Sequence, residues 1–579
     1  MMVNIKISNS SSGKPLHFVL LIVVQAVTLV VYWPGLSGPL LLDDIPNLYH
    51  IFRFGDGIIS WHEAFDLTLH AGDRPVAILS FMGNLWISPG NVWQLKLTNL
   101  VIHLLCGLLI YRLSWLLLYR TVSDDLKTRY IALWIAALWL LSPFLVSTVL
   151  YVIQRMAQLS AFFMLCGLVL YTTGRINLDN HKKPAIGLIV ISLLVFWPLA
   201  TLSKQNGILL PLLMLIMEFF FFHTSSVQKH IKKLRVWLFC LSCIPLLIIG
   251  TGIFLFDYSL LDYSGRNFTL YERLITQPRV LLDYMANLLL IPGASPMSLF
   301  HDDYVKSTGL LHPVTTLPAL LFTPGIIFLG LVCYRKKIGI VLFGIVFFYA
   351  AHLVESTFIP LEMYFEHRNY QPAFGLYFSV VYGMYLLLEK IDFNRSAIIV
   401  LLLFPIAFSI LTYQRALVWQ KKTSLYFLSE ITHPDSPRIN EGLSYFYLLL
   451  NDPGKSVYYL DRVLALDPGH KSADFYFKYL LAYCNDSMEV PEPHYLQKLK
   501  FSGLSDELST INYFRMFIDA VEAGKCDSLD LDKVADQLKA ATAGSNSKYG
   551  TAHVNGLLSR LLSYLDRDEE AEEMRITPE

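Results

Sequence analysis

The stretch that decides the fold is LTNLVIHLLCGLLIYRLSWLLL, residues 97–118, whose only charged side chain is Arg112. A membrane-spanning helix needs about 20 mostly apolar residues, and this run is long enough to form one. The whole chain shares this character, since 54% of its 579 residues are hydrophobic and 16% are charged. Soluble proteins carry about 25% charged residues. The composition predicts an all-α polytopic membrane protein and excludes a soluble enzyme, a disordered scaffold and a disulfide-stapled secreted domain.

Apolar runs of this kind recur between residues 1 and 413, and they predict about eleven transmembrane helices. They lie near 15–33, 97–118, 131–150, 158–174, 184–201, 207–222, 236–256, 317–334, 338–354, 374–388 and 396–413. A shorter apolar stretch near 280–292 contains Asp283. We expect this stretch to lie at the membrane interface or to re-enter the membrane.

Lysine and arginine are concentrated in one set of connecting segments, such as KHIKKLR at 229–235 and RKK at 335–337. Because cytoplasmic loops are enriched in basic residues, these segments and the N-terminus are predicted to be cytoplasmic. The longer loops at 34–96, 257–316 and 355–373, and everything after residue 413, are then predicted to lie outside. No small-residue cleavage site follows the first apolar run, so we expect a retained helix rather than a signal peptide.

Residues 414–579 have an ordinary soluble composition and are predicted to form a separate helical domain. Pro434 and Pro468 are 34 positions apart, which is the period of a tetratricopeptide repeat. Between them, Asp452-Pro453-Gly454 supplies a turn. We expect a repeat-like domain that binds peptides or partner proteins, or alternatively a helical cap that only stabilises the membrane part. Cys484 and Cys526 both fall in this domain, and their spacing leaves a disulfide open.

The first predicted outer loop begins with an acidic pair, Asp43-Asp44, shortly after the first apolar run. Paired carboxylates at the membrane surface suit a general base, a metal ligand or a group that coordinates a phosphate. The alternative is a hydrated turn that caps the segment beside the membrane.

Cations stand at several predicted outer helix ends, against the positive-inside trend. The cations are Arg74 in LHAGDRPV (69–76), which also contains His70 and Asp73, Arg155 next to Gln154, and Lys204 in KQNG (204–207). Arginine suits bidentate contact with phosphate. Together they favour an anionic headgroup such as a phosphate, whereas each cation alone is also explained by snorkelling to the interface.

The densest cluster of ionisable residues lies in HLVESTFIPLEMYFEHRNYQP, residues 352–372. Its charged members include Glu355, Glu362, Glu366, His367 and Arg368. Glu362 and Glu366 would share a face if this stretch were helical, with Arg368, a metal or a substrate as their partner. The spacing does not match the HExxH zinc motif.

Six stretches, taken in order, resemble motifs of the GT-C glycosyltransferases, in the branch that joins a protein O-mannosyltransferase-like membrane part to tetratricopeptide repeats. They are LLLDDIPNL (40–48), DRPVAILSFMGN (73–84), LKLTNLVIHLL (95–105), LSPFLVSTVLYVIQRMAQLSAFFMLCGLVLY (141–171), LSKQNGILLPLL (202–213) and EHRNYQPAFGLYF (366–378). The resemblance implies a GT-C fold at 1–413 and a tetratricopeptide-like domain at 414–579.

The chain departs from the family pattern at three places. Ser142-Pro143 stands where members often have His-Pro, and Gln205 follows Lys204 where they have Glu. A histidine, His367, separates Glu366 from Arg368. The donor and acceptor therefore differ from those of the eukaryotic mannosyltransferases, or the chain is a bacterial member that acts on an exported protein such as a pilin.

The resemblance implies inverting transfer of a sugar from a polyprenyl phosphate to a hydroxyl group at the outer membrane surface. One of Asp43 and Asp44 would be the base, with Asp44 slightly favoured. The leaving phosphate would be stabilised by cations in a site of low dielectric. The candidates for that role are Arg74, Arg155, Lys204 and Arg368. His70, Asp73, Gln154, Glu355, Glu362, Glu366 and His367 would support the site or bind substrate.

The expected partners follow from this activity. They are a lipid-linked sugar donor, the bilayer, and a protein acceptor presented by the repeat domain. No fixed cofactor is implied, although the outer carboxylates leave a divalent metal open. Nucleic acid is not expected, because 46 basic residues balance 46 acidic ones. A bacterial inner membrane with the C-terminal domain in the periplasm is the expected location.

Three alternatives stay open. The same chemistry could act on a lipid or polysaccharide acceptor, although repeats of this kind usually bind polypeptide. The chain could instead be a non-enzymatic assembly factor that displays a repeat module, for which the outer charges would be dispensable. A transporter would need charges in the middle of spans and internal symmetry, and neither is evident.

Overall fold

A computed structural model describes most of the chain, in two compact units. The described residues are 14–72, 74–178, 181–222, 232–244, 262–264, 266–291, 293, 295–390, 395–468, 473–484, 508–527, 529–542 and 550–575. The membrane unit comprises Met1–Met297 and Tyr304–Lys422, and the C-terminal unit comprises Ser298–Asp303 and Thr423–Glu579. Regular structure in the described residues is helical, apart from one β-bridge between Gly309 and His312.

The membrane unit contains seventeen helices among the described residues, which we number α1 to α17. They are α1 Lys14–Tyr32, α2 Asp44–Gly55, α3 Trp61–Gly72, α4 Pro75–Ile87, α5 Val92–Leu118, α6 Asp125–Leu140, α7 Val146–Leu150, α8 Arg155–Asn177, α9 Lys182–Ile191, α10 Trp197–Ser203, α11 Leu210–Phe221, α12 at 232–244, α13 Leu270–Leu288, α14 Thr316–Cys333, α15 Lys337–Ala351, α16 Pro372–Lys390 and α17 Arg395–Val418.

Six described helices are long and apolar enough to cross a membrane, which confirms the prediction of a helical membrane protein. They are Leu16–Ser37, Val92–Leu118, Val152–Asn177, Lys182–Ser203, Thr316–Cys333 and Pro372–Glu389. A seventh candidate, Asp125–Leu140 with Pro143–Leu150, is bent by 48°. Shorter apolar helices are Pro75–Ile87, Gln205–Phe221, Lys337–Ala351 and Leu403–Val418. The predicted run at 236–256 lies partly outside the described residues, and eleven crossings remain a prediction.

The bend between α6 and α7 follows from the local sequence. Ser142 precedes Pro143, and the residue before a proline is disfavoured in the α-helical conformation. The helix therefore stops at Leu140 and restarts after a short 3₁₀ turn. Because of this break, residues 141–155, which include α7, form an ordered connection beside the helices that carry the polar residues.

Large apolar side chains on the outer faces of the spans are exposed. On α14, Leu321, Phe328 and Val332 are 64%, 67% and 58% exposed. Contiguous exposed apolar surface of this kind is uncommon on a soluble monomer. Such an exposed apolar face is suited to contact with lipid.

Helices α15 and α16 approach one another at a pair of glycines. A Cβ atom at Gly344 would lie 2.0 Å from the Gly375 carbonyl oxygen, and one at Gly375 would lie 2.4 Å from that of Gly344. Small residues at membrane helix contacts allow this backbone-to-backbone approach. The pair thus fixes α16, which follows directly after the polar segment at 352–371.

The predicted outer loop at 34–96 is mostly helical, because it contains α2, α3 and α4. The apolar helix α4 was not expected there, since its 13 residues fall short of a span. The stretch near 280–292 forms the end of α13, which is outside the set of candidate spans in the described chain. This agrees with the expectation that it does not cross the membrane.

The C-terminal unit is built from eight described helices. They are α18 Lys422–Thr432, α19 Pro437–Leu449, α20 Pro453–Leu466, α21 Ala473–Tyr483, α22 Leu508–Glu522, α23 Leu531–Thr542, α24 Gly550–Tyr564 and α25 Asp568–Arg575. The predicted turn at Asp452-Pro453-Gly454 is the start of a helix instead, since Pro453 and Gly454 begin α20 and Asp452 caps it by accepting a bond from Lys455 N at 3.0 Å. The buried Cys484 and Cys526 form a disulfide.

The unit boundary differs from the predicted one in two respects. Helix α17 continues to Val418 rather than stopping at 413, so the C-terminal unit begins at Thr423. This unit also includes the distant segment Ser298–Asp303. Local composition could not reveal that segment, because its membership depends on contacts across more than a hundred residues.

Candidate functional site

The acidic pair at the start of α2 divides into one exposed and one buried carboxyl. Asp43 is exposed, and its backbone N donates to the Tyr151 hydroxyl at 2.9 Å. Asp44 has no exposed surface, and its two oxygens accept bonds from Leu41 N at 2.9 Å and Ile153 N at 2.6 Å. Burial raises the pKa of Asp44 to about 7, although both bonds oppose this. Asp44 therefore fixes the local backbone, whereas Asp43 faces outward.

Arg155 is a structural residue in this arrangement rather than an open cation. Its side chain is fully buried, and it donates to Asn99 Oδ1 at 2.8 Å, Leu95 O at 2.8 Å and Ser80 O at 3.1 Å. All three nitrogen atoms of the guanidinium group take part in these bonds. The expectation that Arg155 contacts a phosphate is therefore replaced by a role in joining α8 to α4 and α5.

The Asn-Leu-x-x-His stretch on α5 also holds the turn after α6. The Asn99 amide donates to Val149 O and Val152 O at 3.3 and 3.2 Å. The His103 ring bonds to Leu140 O and to the Tyr370 hydroxyl, both at 3.0 Å. The two polar residues of this motif thus satisfy carbonyl groups at the end of α6, in α7 and in the buried 3₁₀ turn that follows it.

Arg74, at the start of α4, lines a cavity of about 340 Å³ that we call the Arg74 pocket. Asn47, Phe81, Ile153 and Met156 also line it. Asn47 donates to Asp43 O at 2.8 Å, and Ile153 is the residue bonded to Asp44, so this pocket adjoins the acidic pair. The Arg74 guanidinium contacts Gln205 Oε1 at 3.3 Å, from the segment that follows Lys204.

A second cavity of about 260 Å³ has a more polar lining, and we call it the Lys204 pocket. Its polar lining residues are Ser160, Lys204, Asn206, His367, Arg368 and Gln371. The charge of Arg74 acts on Lys204 and on His367, so the two pockets share one electrostatic environment. Cations from three distant parts of the sequence meet here.

Lys204 and Glu355 form a buried ion pair in this environment, with 2.6 Å between Nζ and Oε1. Burial alone would raise the pKa of the Glu355 carboxyl, but Lys204 and Arg368 hold it below its usual range. The Glu355 Oε2 atom is buried without a hydrogen-bond partner among the described residues. Two cations against one carboxylate leave an excess of positive charge next to the pocket.

Arg368 is held by its own segment. It is 5% exposed, donates to Met363 O at 3.3 Å and lies over the Phe365 ring at 5.6 Å. His367 stacks on the same ring, with 4.9 Å between centroids. The short 3₁₀ turn Glu366–Asn369 therefore presents both residues to the Lys204 pocket.

The expected common helix face of Glu362 and Glu366 is wrong, because the chain between α15 and Glu366 is irregular. Glu362 pairs with Arg266 at 2.7 Å, and Glu366 pairs with Arg415. Each carboxylate thus has its own arginine, and neither needs Arg368 or a metal as the partner that the spacing suggested.

Arg273 on α13 is a central residue that the sequence did not indicate. It is fully buried and donates to the carbonyl oxygens of Glu355 and Thr357, each at 2.7 Å. It thereby fixes the irregular segment that positions Glu355. No local pattern identifies it, since its acceptors are backbone carbonyls more than 80 residues away.

The remaining predicted residues have different outcomes. Gln154 is buried, and its Oε1 atom has no hydrogen-bond partner in the described part of the chain. The His70 side chain and Asp73 lie outside the described residues. Within the described ranges, no group of three or more His, Cys, Asp or Glu side chains is arranged to hold a metal ion.

In comparisons with known proteins, no family model, no curated protein and no solved structure matched the chain.

Proposed function

We propose that the protein is a GT-C-type glycosyltransferase that moves a sugar from a polyprenyl phosphate to a hydroxyl group. The observation that carries the proposal is that Arg74 lines one pocket and Lys204 and Arg368 line another, while Asn47 of the first pocket donates to the backbone carbonyl of the exposed Asp43. An acid beside an apolar cavity and a cluster of cations suits transfer from an anionic lipid carrier.

Asp43 is the better candidate for the base. A base must reach the proton that it removes, and Asp43 is exposed whereas Asp44 is enclosed and bonded to two backbone amides. Asp43 would take the proton of the acceptor hydroxyl while the hydroxyl oxygen attacks the anomeric carbon of the sugar. The bond from that carbon to the phosphate oxygen breaks, and the lipid phosphate leaves with the electron pair.

The leaving phosphate would be stabilised by Lys204 and Arg368, with Arg74 at the junction of the pockets. Fixed cations in a poorly hydrated site act more strongly than cations in water. Arg368 is held by Met363 and Phe365, and Lys204 is held by Glu355, so neither needs to reorganise during the reaction. Arg155 is removed from this set because it is fully buried and each of its three nitrogen atoms already donates a bond within the protein.

The finer architecture belongs to the same proposal. The membrane unit would form a GT-C fold with eleven spans, and the C-terminal unit would be tetratricopeptide-like and lie outside. The acceptor would be Ser or Thr of an exported protein, bound by the C-terminal unit. The buried Cys484–Cys526 disulfide supports an oxidising compartment such as the bacterial periplasm.

The first test compares Asp43→Asn with Asp44→Asn in the full chain. Asp43→Asn should abolish transfer while the amount and the thermal stability of the membrane protein stay unchanged, because an exposed side chain is altered. Asp44→Asn should lower stability, because it can no longer accept both backbone bonds. Transfer is measured as the mass shift of exported proteins, with and without the gene.

If Asp43→Asn transferred sugar as well as the wild-type protein does, Asp43 would not be the base. Exported proteins with identical masses in the presence and absence of the gene would contradict protein glycosylation. In that case, analysis of lipids and polysaccharides from the same cells decides whether another acceptor is used.

A further inference from the structure

A short loop of the membrane unit, between α13 and α14, exposes several large apolar side chains. We call residues 305–314, VKSTGLLHPV, the apolar loop. Its exposed apolar side chains, at 64%, 50%, 58% and 74%, are Val305, Leu310, Leu311 and Val314. Exposed apolar side chains grouped in this way indicate a surface that contacts a membrane or another protein.

The apolar loop also extends an uncharged part of the chain. The sequence from Ser307 to Tyr334 contains no Asp, Glu, Lys or Arg. Helix α14, a candidate span, takes up only Thr316–Cys333 of this run. Residues 307–315 therefore lack charge although they precede the helix. Lipid penalises charged side chains, whereas a loop in water has no reason to exclude them.

Both ends of the apolar loop meet the start of α14. Val314 precedes Thr316, the first residue of α14, by two positions, so their Cα atoms are at most about 7 Å apart. Ser307 Oγ and Thr316 Oγ1 share a hydrogen bond of 2.8 Å, and Thr316 N donates to Pro313 O at 3.0 Å. The loop is thus fixed at the point where the chain enters a candidate span.

Charged groups hold the base of the apolar loop against α13. The Arg279 guanidinium donates to Val305 O at 2.8 Å and to Thr315 Oγ1 at 2.9 Å. Lys306 Nζ lies 3.3 Å from Glu272 Oε1. The loop therefore has cations at its base and uncharged residues at its tip. Segments that lie in a membrane interface divide charged and apolar groups in the same way.

The tip of the apolar loop pairs part of its own backbone. Thr308 N and Gly309 N donate to His312 O at 3.0 and 3.4 Å, and His312 N donates to Gly309 O at 3.3 Å. The next residue, Pro313, has no N–H to satisfy. Because unpaired backbone groups are costly in apolar surroundings, this pairing lowers the cost of placing the tip in lipid.

We propose that the apolar loop inserts into the lipid at the membrane surface where α14 begins, with Leu310, Leu311 and Val314 in contact with acyl chains. Arg279 and Lys306 would then lie at the level of the headgroups, where long basic side chains are favoured. The occupant is lipid rather than a second protein, because the loop is continuous with α14 and its exposed apolar face. This inference does not depend on the proposed transfer of a sugar.

The test places a nitroxide spin label at single cysteines of the full-length protein in vesicles of phosphatidylcholine and phosphatidylglycerol. The labelled variants are Leu311→Cys and Val314→Cys. The buried Cys484–Cys526 disulfide is kept, and the free cysteines of the described chain are replaced by alanine. These are Cys106, Cys166, Cys240, Cys243 and Cys333. Only variants with the thermal unfolding midpoint of the wild-type protein are compared.

Two further positions calibrate the measurement. Phe328→Cys reports the exposed apolar face of α14, and Ser264→Cys reports an exposed polar position before α13. The quantity measured is the ratio of label collisions with oxygen, which concentrates in lipid, to collisions with a water-soluble nickel chelate. At Leu311→Cys and Val314→Cys this ratio should approach that of Phe328→Cys and be several-fold higher than that of Ser264→Cys.

A second comparison asks whether the leucines hold the loop in lipid. Leu310→Asp with Leu311→Asp, added to Val314→Cys, should lower the ratio at the label several-fold, because carboxylates are costly in lipid. The matched control, Leu310→Ile with Leu311→Ile, should leave the ratio unchanged. An equal ratio in both double variants would overturn the insertion of the tip.

Three other results would also overturn the proposal. A ratio at Leu311→Cys and Val314→Cys equal to that at Ser264→Cys would place the loop in water. Few collisions with either reagent would show that protein covers it. Spin–spin broadening that disappears on dilution with unlabelled protein would identify a second copy of the chain as the occupant.

Discussion

At the scale of single residues, Asp44 is a carboxyl whose environment favours its neutral form up to about neutral pH. It is fully buried, and the nearest cation that acts on it is the buried Lys96. The Lys96 ammonium has no hydrogen-bond partner in the described ranges, so it does not form a close ion pair with Asp44. Burial therefore outweighs the neighbouring charge, and the pKa of Asp44 rises to about 7.

This raised pKa predicts how stability changes with pH. Folded Asp44 keeps its proton up to about pH 7, whereas the unfolded chain loses it near pH 4. Stability present at low pH should therefore be lost as pH rises through this window, by up to about 1.4 kcal/mol per pH unit relative to Asp44→Asn. Thermal unfolding of both proteins from pH 4 to pH 8 measures the difference. Parallel curves would contradict the burial effect.

The sequence identified which residues carry charge but not which partner each one meets. Arg155 was expected at the surface because it stands between two apolar runs, yet its carbonyl acceptors on α4 and α5 enclose it. Lys204 and Arg368 were grouped because both stand near ends of apolar helices, and both line the Lys204 pocket. Arg273 was missed, since hydrogen bonds to distant backbone carbonyls have no local signal.

At the scale of helices, the apolar runs predicted most elements, because about 20 apolar residues form a helix in lipid regardless of their neighbours. The pattern failed where the backbone is fixed by tertiary contacts. Glu362 and Glu366 are four residues apart, as on one face of a helix, yet the segment between α15 and the turn Glu366–Asn369 is irregular. The reason is that Arg273 binds carbonyl groups of this segment. Its path depends on α13 and also on α16, which is anchored to α15 by the glycine pair.

That glycine pair gives a prediction for helix packing. Gly344→Ala or Gly375→Ala should lower the free energy of unfolding by about 1–3 kcal/mol, because the added Cβ atom meets a backbone carbonyl that cannot rotate away. Gly325→Ala on α14 is the matched control, since a Cβ atom there meets nothing within 4 Å. Thermal unfolding in detergent measures all three, and equal midpoints would contradict the close approach.

At the scale of the whole molecule, charged side chains can mark the two ends of a membrane span. Helix α8 illustrates this, with Arg155 in its first turn and Arg175 in its last. At 1.5 Å per residue they are about 30 Å apart, which matches the hydrocarbon core of a bilayer. Arg155 lies among the polar residues of the candidate site, whereas Arg175 pairs with Glu218 at 2.6 Å. The predicted polarity of the chain therefore rests on its basic connecting segments, such as 229–235 and 335–337, and not on its zero net charge.

This polarity predicts the orientation of the chain. An alkaline phosphatase fused after residue 420 should be active, because α17 ends at Val418 and the following unit is expected outside. A fusion after residue 336, within the basic segment between α14 and α15, should be inactive and should fluoresce with a cytoplasmic reporter instead. The opposite pair of results would invert the proposed orientation.

The segment Ser298–Asp303 also constrains how many times the chain can cross the membrane. Ser298–Asp303 and the helices after Thr423 form one folded unit, and the candidate spans of the described chain all fall in the other unit. Both parts of this unit must lie on the same side of the membrane. The chain between residues 303 and 423 therefore crosses the membrane an even number of times. The four apolar helices α14 to α17 satisfy this parity if all of them cross. It is equally satisfied if only the two candidate spans Thr316–Cys333 and Pro372–Glu389 cross, so the 15-residue helix Lys337–Ala351 and α17 then cross together or not at all.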